Sequence, residues 1–181
     1  MKKHHIEAKQ LWDNFAHDGT EYCLRHLSTH ELRFKGNKCN YTFVVTYGLH
    51  CFAKNDQEHS VATTYFDGFE TRQINLERYH LSKFLRGFIE NLDSHNLLYE
   101  TTKEKYFTFK HVNDLTGDIE KCKVCLCIFK ENRLLRIHVT SAFFDREHKE
   151  LSNKGLSIFK IAMDAWKKPR NQGIPKEASR K

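Results

Sequence analysis

Hydrophobic and polar residues alternate most regularly between positions 134 and 143. Successive side chains of a β-strand point to opposite faces, so the alternation predicts a strand with two distinct faces. The apolar face comprises Leu135, Ile137 and Val139. The opposite face carries Arg136, His138 and Thr140. The pattern therefore predicts one face against a core and one face directed away from it.

Further strands are predicted on both sides of this one. Lys121–Lys130 is expected to pair with it as a hairpin across residues 131–133. Earlier in the chain, Tyr41–Lys54 alternates like a strand, and Val61–Phe66 follows a turn signal as a return strand. These runs predict a mostly antiparallel sheet.

Helical spacing of apolar residues occurs in two places. Ile6–His17 predicts an N-terminal helix that ends at Asp18-Gly19. Leu76–Leu92 has one continuous apolar stripe, and Asn75 precedes it as an N-cap. Residues 156–166 fit either a final strand or a short helix. The predicted fold is α+β: an N-terminal helical part, then a central helix packed on a mostly antiparallel sheet.

The length of 181 residues suits one domain. We assign residues 1–166 to a single α+β domain and residues 167–181, which contain both prolines, to a basic C-terminal tail. The net charge of +7 and the pI of about 9.1 favour an anionic partner such as nucleic acid, although many basic proteins are only kept soluble by such a charge.

The compartment is predicted from what the sequence lacks. No stretch approaches the roughly 18 apolar residues that a membrane span needs, and no apolar run follows the basic start as a secretory signal would require. The six cysteines are therefore expected to be reduced thiols of a cytoplasmic protein.

Several chemistries are not supported by the motifs present. A CxxC occurs at Cys122 and Cys125, with Cys127 after it, but strand alternation separates Cys122 from the other two. No second CxxC completes a zinc site, so we predict no metal and no cofactor. The sequence also lacks a nucleophile elbow, a Walker loop and an HExxH motif.

The polar face of the strand at 134–143 predicts a phosphodiester site. A metal-independent ribonuclease needs a general base, a general acid and a cation over the phosphorane charge. His138 is the candidate base or acid, Arg136 and Arg146 are candidate phosphate clamps, and Thr140 or Ser141 is the candidate orienting donor. A half-buried strand with an ordinary solvated face is the alternative interpretation.

Substrate contacts are predicted on two neighbouring elements. His50, near the end of a predicted strand, or His80 could supply a second proton-transfer group. The polar side of the central helix is basic, with Arg78, His80, Lys83 and Arg86. Such a face commonly only solvates a helix, but here it adds to the prediction of an anion-binding side.

Two resemblances bear on function. Arg78–Lys83 and Val139–Phe143 resemble a prophage-associated bacterial family of stationary-phase growth adaptation or heat-shock-C-like proteins. The order of elements resembles, as an analogy of pattern, toxin-type ribonucleases of the barnase, colicin and RelE class. These resemblances imply a bacterial or phage-encoded cytoplasmic protein.

The leading hypothesis is a nucleic-acid-directed protein, most concretely a metal-independent ribonuclease acting on RNA as a toxin or phage-defence effector. The alternatives are a non-catalytic regulator or defence component that binds nucleic acid or a protein, and a phage-encoded inhibitor that works by protein contact alone. The expected partner is nucleic acid, with RNA favoured, or a protein such as an antitoxin.

Overall fold

The predicted fold class is wrong, because the protein is mostly β-sheet. A computed structural model describes residues 12–37, 39–54, 63–93, 97–101, 105–112, 117–146, 154–169, 174 and 178. Strands account for 49% of these residues and helices for 22%. There is no N-terminal helical part among the described residues, and no single central helix.

Eleven strands are present in the described part of the chain: β1 (Phe15–His17), β2 (Thr20–Tyr22), β3 (His30–Lys35), β4 (Asn40–Tyr47), β5 (Ala53–Lys54), β6 (Thr64–Phe66), β7 (Thr71–Ile74), β8 (Tyr99–Glu100), β9 (Lys105–Val112), β10 (Ile119–Glu131) and β11 (Leu134–Phe144). Six of them form one sheet in the order β3-β4-β11-β10-β9-β8. Only the β4–β11 pairing in this sheet is parallel. The predicted β10–β11 hairpin is confirmed.

Two small sheets flank the large one. β1 and β2 form a hairpin, and β7 pairs with both β5 and β6. The helices are α1 (Leu76–Ser82), α2 (Leu85–Glu90) and α3 (Ile158–Lys167). Short 3₁₀ turns occupy Arg25–Leu27 and Leu49–Cys51.

The N-terminal helix prediction fails at a turn signal. Asp18 and Gly19, expected to end a helix, have φ angles of 48° and 74° and connect β1 to β2. Positive φ at both central residues is what a two-residue hairpin needs, and Asp-Gly supplies it readily. Phe15 then stacks on its cross-strand partner Tyr22, with ring centroids 5.0 Å apart. The first half of the predicted helix, residues 6–11, lies outside the described residues.

The predicted central helix is divided into α1 and α2. Asn75 caps α1 as expected, since its side chain accepts from the Arg78 amide at 2.9 Å. The break follows Ser82, whose buried hydroxyl donates to the Tyr79 carbonyl at 2.6 Å. Such back-bonding by serine competes with the regular helical bonds and bends helices.

Both faces of the sheet are covered around β11. Leu135, Ile137 and Val139 belong to the main hydrophobic core, as the alternation predicts. The opposite face is buried as well, because Val44, Phe129 and other apolar residues there are also nearly inaccessible. The division into a domain of residues 1–166 and a tail of residues 167–181 stays a prediction.

Candidate functional site

His138 lies in the interior of the protein, with 2% of its surface exposed. β11 places it directly beside Thr46 of the parallel strand β4, and Nδ1 of the imidazole is 2.9 Å from the Thr46 hydroxyl oxygen. Burial, with a smaller contribution from the Arg136 charge, lowers the pKa of His138 from 6.5 to about 4. The ring is therefore neutral at physiological pH.

Arg136 is held by protein groups on several sides. Its Nη1 is 2.6 Å from Oε2 of Glu131, and its Nη2 donates to the Thr46 hydroxyl at 3.1 Å. The guanidinium lies over the Phe129 ring, and Nη1 also donates to the Ala178 carbonyl at 3.4 Å. Its side chain is 7% exposed. The predicted phosphate clamp is thus already paired with a carboxylate.

Arg136, Thr46 and His138 form a directional chain of hydrogen bonds. An arginine can only donate, so the Thr46 oxygen accepts from it. The single hydroxyl hydrogen of Thr46 then has one acceptor among the described residues, Nδ1 of His138. The network therefore assigns the ring hydrogen of His138 to Nε2. The opposite tautomer would leave a buried hydroxyl hydrogen unpaired, which costs about 1–3 kcal/mol.

The Nε2 side of His138 borders a small cavity that opens to solvent and has room for about one or two water molecules. The cavity is lined by Trp12, Gly48, Leu49, His50, Asp67, Glu70, His138 and Thr140. Two buried nitrogens of these residues, His138 Nε2 and Trp12 Nε1, have no hydrogen-bond partner in the described part of the chain. Trp12 is itself 9% exposed. The wall of the cavity thus carries two buried N–H donors with no acceptor among the described residues.

Gly48 lies directly against the imidazole of His138. A Cβ at this position would lie 3.3 Å from Nε2 of His138 and 3.3 Å from the Thr140 carbonyl oxygen. The Gly48 backbone has φ −92° and ψ 163°, which any residue can adopt. Glycine is therefore needed here for space and not for conformational freedom.

Thr140 lies at a bulge of β11 and lines the cavity together with His138. Leu126 pairs with Val139 and Cys125 pairs with Ser141, so Thr140 is the extra residue of β11. Simple alternation predicts Thr140 in line with Arg136 and His138, and the shared cavity agrees with that for His138. Ser141, opposite Cys125, does not line the cavity.

The opposite wall comes from the 3₁₀ turn after β4 and from the β6–β7 hairpin. His50 Nε2 is 3.8 Å from Glu70 Oε1, while Glu70 Oε2 accepts from Arg72 at 2.7 Å. Asp67 Oδ1 accepts from the amides of Phe69 and Glu70, at 2.9 and 2.8 Å. Both bonds end on Oδ1, so Oδ2 remains as an acceptor.

The tip of this hairpin also presents two aromatic side chains to solvent. Phe66 is 63% exposed and Phe69 is 57% exposed, and they flank Asp67 and Gly68. Large exposed aromatic residues next to a cavity are a common feature of binding sites. The sequence Phe-Asp-Gly-Phe at 66–69 is a turn signal between aromatic residues and was the available clue to this wall.

The other predicted site residues lie elsewhere. Arg78 is half-buried and donates to the carbonyls of His50 and Ala53, at 3.0 and 3.2 Å, so it supports the chain that forms the cavity wall. The remaining four are exposed on the surface: His80, Lys83, which lies over Tyr79, Arg86, which binds Glu90, and Arg146, which binds Glu77. Of the predicted residues, His138, His50 and Thr140 share the cavity.

Sequence reasoning missed Trp12, Gly48, Asp67 and Glu70. Trp12 had been assigned to the apolar stripe of the N-terminal helix.

Within the described residues no group of three or more His, Cys, Asp or Glu side chains could hold a metal ion, and the six cysteines are free thiols. No helix in the same residues is long and apolar enough to cross a lipid bilayer.

Comparison with known proteins shows the family. The model of the YjaZ family matches residues 14–166. The chain belongs to the YjaZ family. It is 31% identical to Protein YjaZ of Escherichia coli (strain K12) over an alignment of 180 positions that covers 92% of this chain and 95% of that protein. No solved structure matches the chain. The match to the YjaZ family includes every residue that lines the cavity except Trp12.

Proposed function

We propose that the protein is a non-catalytic nucleic-acid-binding protein whose ligand is single-stranded RNA. The observation that carries the proposal is the pair of exposed phenylalanines, Phe66 and Phe69, at the tip of the β6–β7 hairpin. Exposed aromatic rings on a basic protein are what stacking of unpaired bases needs. A cytoplasmic location agrees with the six free thiols.

Single-stranded RNA has the features that this surface needs. Its bases can unstack, lie on aromatic rings and present their edges to hydrogen-bonding groups, whereas a duplex hides those edges. Phe66 and Phe69 provide the rings, and Asp67 between them has Oδ2 as a hydrogen-bond acceptor. The net charge of +7 supplies attraction to the phosphate backbone.

Binding is favoured over cleavage by the state of the two residues at its centre. With a pKa of about 4, His138 does not exchange a proton readily at neutral pH. Arg136, the expected phosphate clamp, is paired with Glu131. Both observations suit a fixed recognition surface.

Metal-independent RNA cleavage is the second candidate, and one observation favours it. His50 lines the same cavity as His138 and lies 3.8 Å from the Glu70 carboxylate. His50 would then be the second proton-transfer group of such a reaction, with Glu70 as its neighbouring carboxylate.

Replacing both Phe66 and Phe69 by alanine is expected to weaken the binding of single-stranded RNA by about 10- to 100-fold, because stacking contributes about 1–3 kcal/mol per base. Fluorescence anisotropy with a labelled RNA of mixed sequence gives the Kd. Trp166→Ala removes an aromatic side chain of α3 that is 50% exposed and is expected to leave the Kd unchanged.

The same samples distinguish the candidates. With EDTA present, the proposal expects the RNA to remain intact and the Kd to rise with salt. Cleavage that is lost in His50→Ala and His138→Ala would overturn the non-catalytic proposal in favour of the second candidate. A chain that binds no RNA, and instead retains a protein partner, would overturn both.

A further inference from the structure

We infer that β3, which forms one edge of the large sheet, pairs antiparallel with β3 of a second copy of this chain. The two six-stranded sheets then continue into one another across a twofold axis. The inference is independent of the proposed binding of RNA. It is drawn from the hydrogen-bond pattern of β3 and from the order of the charges along it.

The backbone of β3 shows which of its residues face β4. The Gly36 amide donates to the Cys39 carbonyl at 3.0 Å, so these two residues form a hydrogen-bonded pair in the register of the β3–β4 ladder. In an antiparallel ladder such pairs recur at every second residue. The residues of β3 whose N–H and C=O groups point to β4 are therefore His30, Leu32 and Phe34.

The alternate residues of β3 direct their backbone groups out of the sheet. They are Glu31, Arg33 and Lys35, and their side chains are exposed. Within the described ranges, none of their N–H and C=O groups has a hydrogen-bond partner. An open edge of this kind is a template for another strand. The opposite edge of the sheet, by contrast, ends in the short strand β8.

The charges of β3 select a second copy in one register. Charged residues on an edge strand commonly prevent such pairing, because like charges meet. In an antiparallel pair centred on Leu32, however, Glu31 of each copy lies opposite Arg33 of the other, so both charged pairs attract. Moving the centre to Glu31 or to Arg33 would place that residue opposite itself and bring like charges together. The strand is therefore complementary to itself about Leu32.

This register also covers Leu32. Its side chain packs against the core but is only partly buried. In the pair it lies opposite Leu32 of the second copy, at a non-hydrogen-bonded position, where cross-strand side chains are closest. On either side, Glu31 and Arg33 exchange both backbone bonds of a hydrogen-bonded pair. The pairing thus satisfies open N–H and C=O groups and buries apolar surface at the twofold axis.

Charge reversal tests the pairing in protein freed of nucleic acid. Arg33→Glu and Glu31→Arg each replace both attractive pairs by repulsive ones, so each is expected to raise the dimer Kd about tenfold or more. The double variant with both reversals restores opposite charges and should recover the wild-type Kd. Sedimentation velocity from the micromolar to the millimolar range measures the Kd. Arg133→Glu, at an exposed position in the turn between β10 and β11, makes the same change in charge and should leave the Kd unchanged.

Hydrogen exchange of single amides shows whether β3 is the contact. The amides of Glu31 and Arg33 should exchange rapidly at low protein concentration and become protected as the dimer forms. The amides of Leu32 and Phe34 bind β4 and should be protected at every concentration.

A wild type that stays monomeric over the whole range, or a dimer that Arg33→Glu weakens no more than Arg133→Glu does, would overturn the inference. Glu31 and Arg33 amides that are already protected in the monomer would overturn it too, because another part of the same chain would then cover the edge. None of these results depends on RNA binding, so the proposed function stands or fails separately.

Discussion

Replacing Glu131 by glutamine is expected to lower the free energy of unfolding by about 3 kcal/mol, because it leaves the buried Arg136 charge without a carboxylate. The two groups are 2.6 Å apart, and Glu131 itself is only 20% exposed. Glutamine keeps the shape of the side chain, so the loss reflects the charge and not a cavity. Urea unfolding followed by circular dichroism measures the change.

Two further variants show that the loss belongs to a buried pair. Glu77→Gln breaks the ion pair between Glu77 and Arg146, two side chains that are both well exposed. It should change the free energy of unfolding by less than about 0.5 kcal/mol. Glu131→Gln combined with Arg136→Met removes both charges and should recover part of the lost stability. If Glu131→Gln cost no more than Glu77→Gln, Arg136 would not be the buried structural cation described above.

Acidification is expected to destabilise the protein by about 3 kcal/mol through His138 alone. The unfolded ring has a pKa of 6.5 and the folded ring a pKa of about 4, so the unfolded state takes up its proton first as the pH falls. The contribution is complete above pH 6.5, is lost between pH 6.5 and about 4, and does not change further below that range. A tenfold change in proton affinity is worth about 1.4 kcal/mol, which gives the magnitude.

Urea unfolding at a series of pH values measures this loss. Burial lowers the pKa of His26 and His30 too, so these residues act in the same direction. His138→Gln should reduce the dependence on pH over this range, whereas His80→Gln, at an exposed position of α1, should keep most of it. Equal pH dependence in the wild type and in His138→Gln would show that the ring is not buried in its neutral form.

Local patterns were sufficient for elements whose partners are close in sequence. The β10–β11 hairpin, the core face of β11 and the Asn75 cap all follow from residues within one element or its neighbour. The N-terminal helix was wrong because the apolar spacing of its sequence suits a helix, whereas the aromatic pair Phe15 and Tyr22 and the Asp18-Gly19 turn favour a hairpin.

The candidate site depended on contacts that the alternation of β11 does not contain. Alternation placed Arg136 and His138 on one face, but it could not show that this face is covered. It also could not show that Thr46, 92 residues away from His138 in the sequence, links the two side chains by hydrogen bonds. The bulge at Thr140 and the cavity wall at Asp67 also arise from tertiary pairing. Sequence analysis thus found His138 and Arg136. It did not predict that His138 is buried and neutral or that Arg136 is paired with a carboxylate.

The central claim is that His138 is a buried, neutral ring with its hydrogen on Nε2, on the side that borders the cavity. Ring-¹⁵N spectra of histidine-labelled protein, recorded from about pH 8 to about pH 5, test it directly. We predict a His138 signal with a protonated Nε2 and a bare Nδ1 that does not titrate over this range. A ring that titrates near its ordinary pKa or carries its hydrogen on Nδ1 would contradict the account.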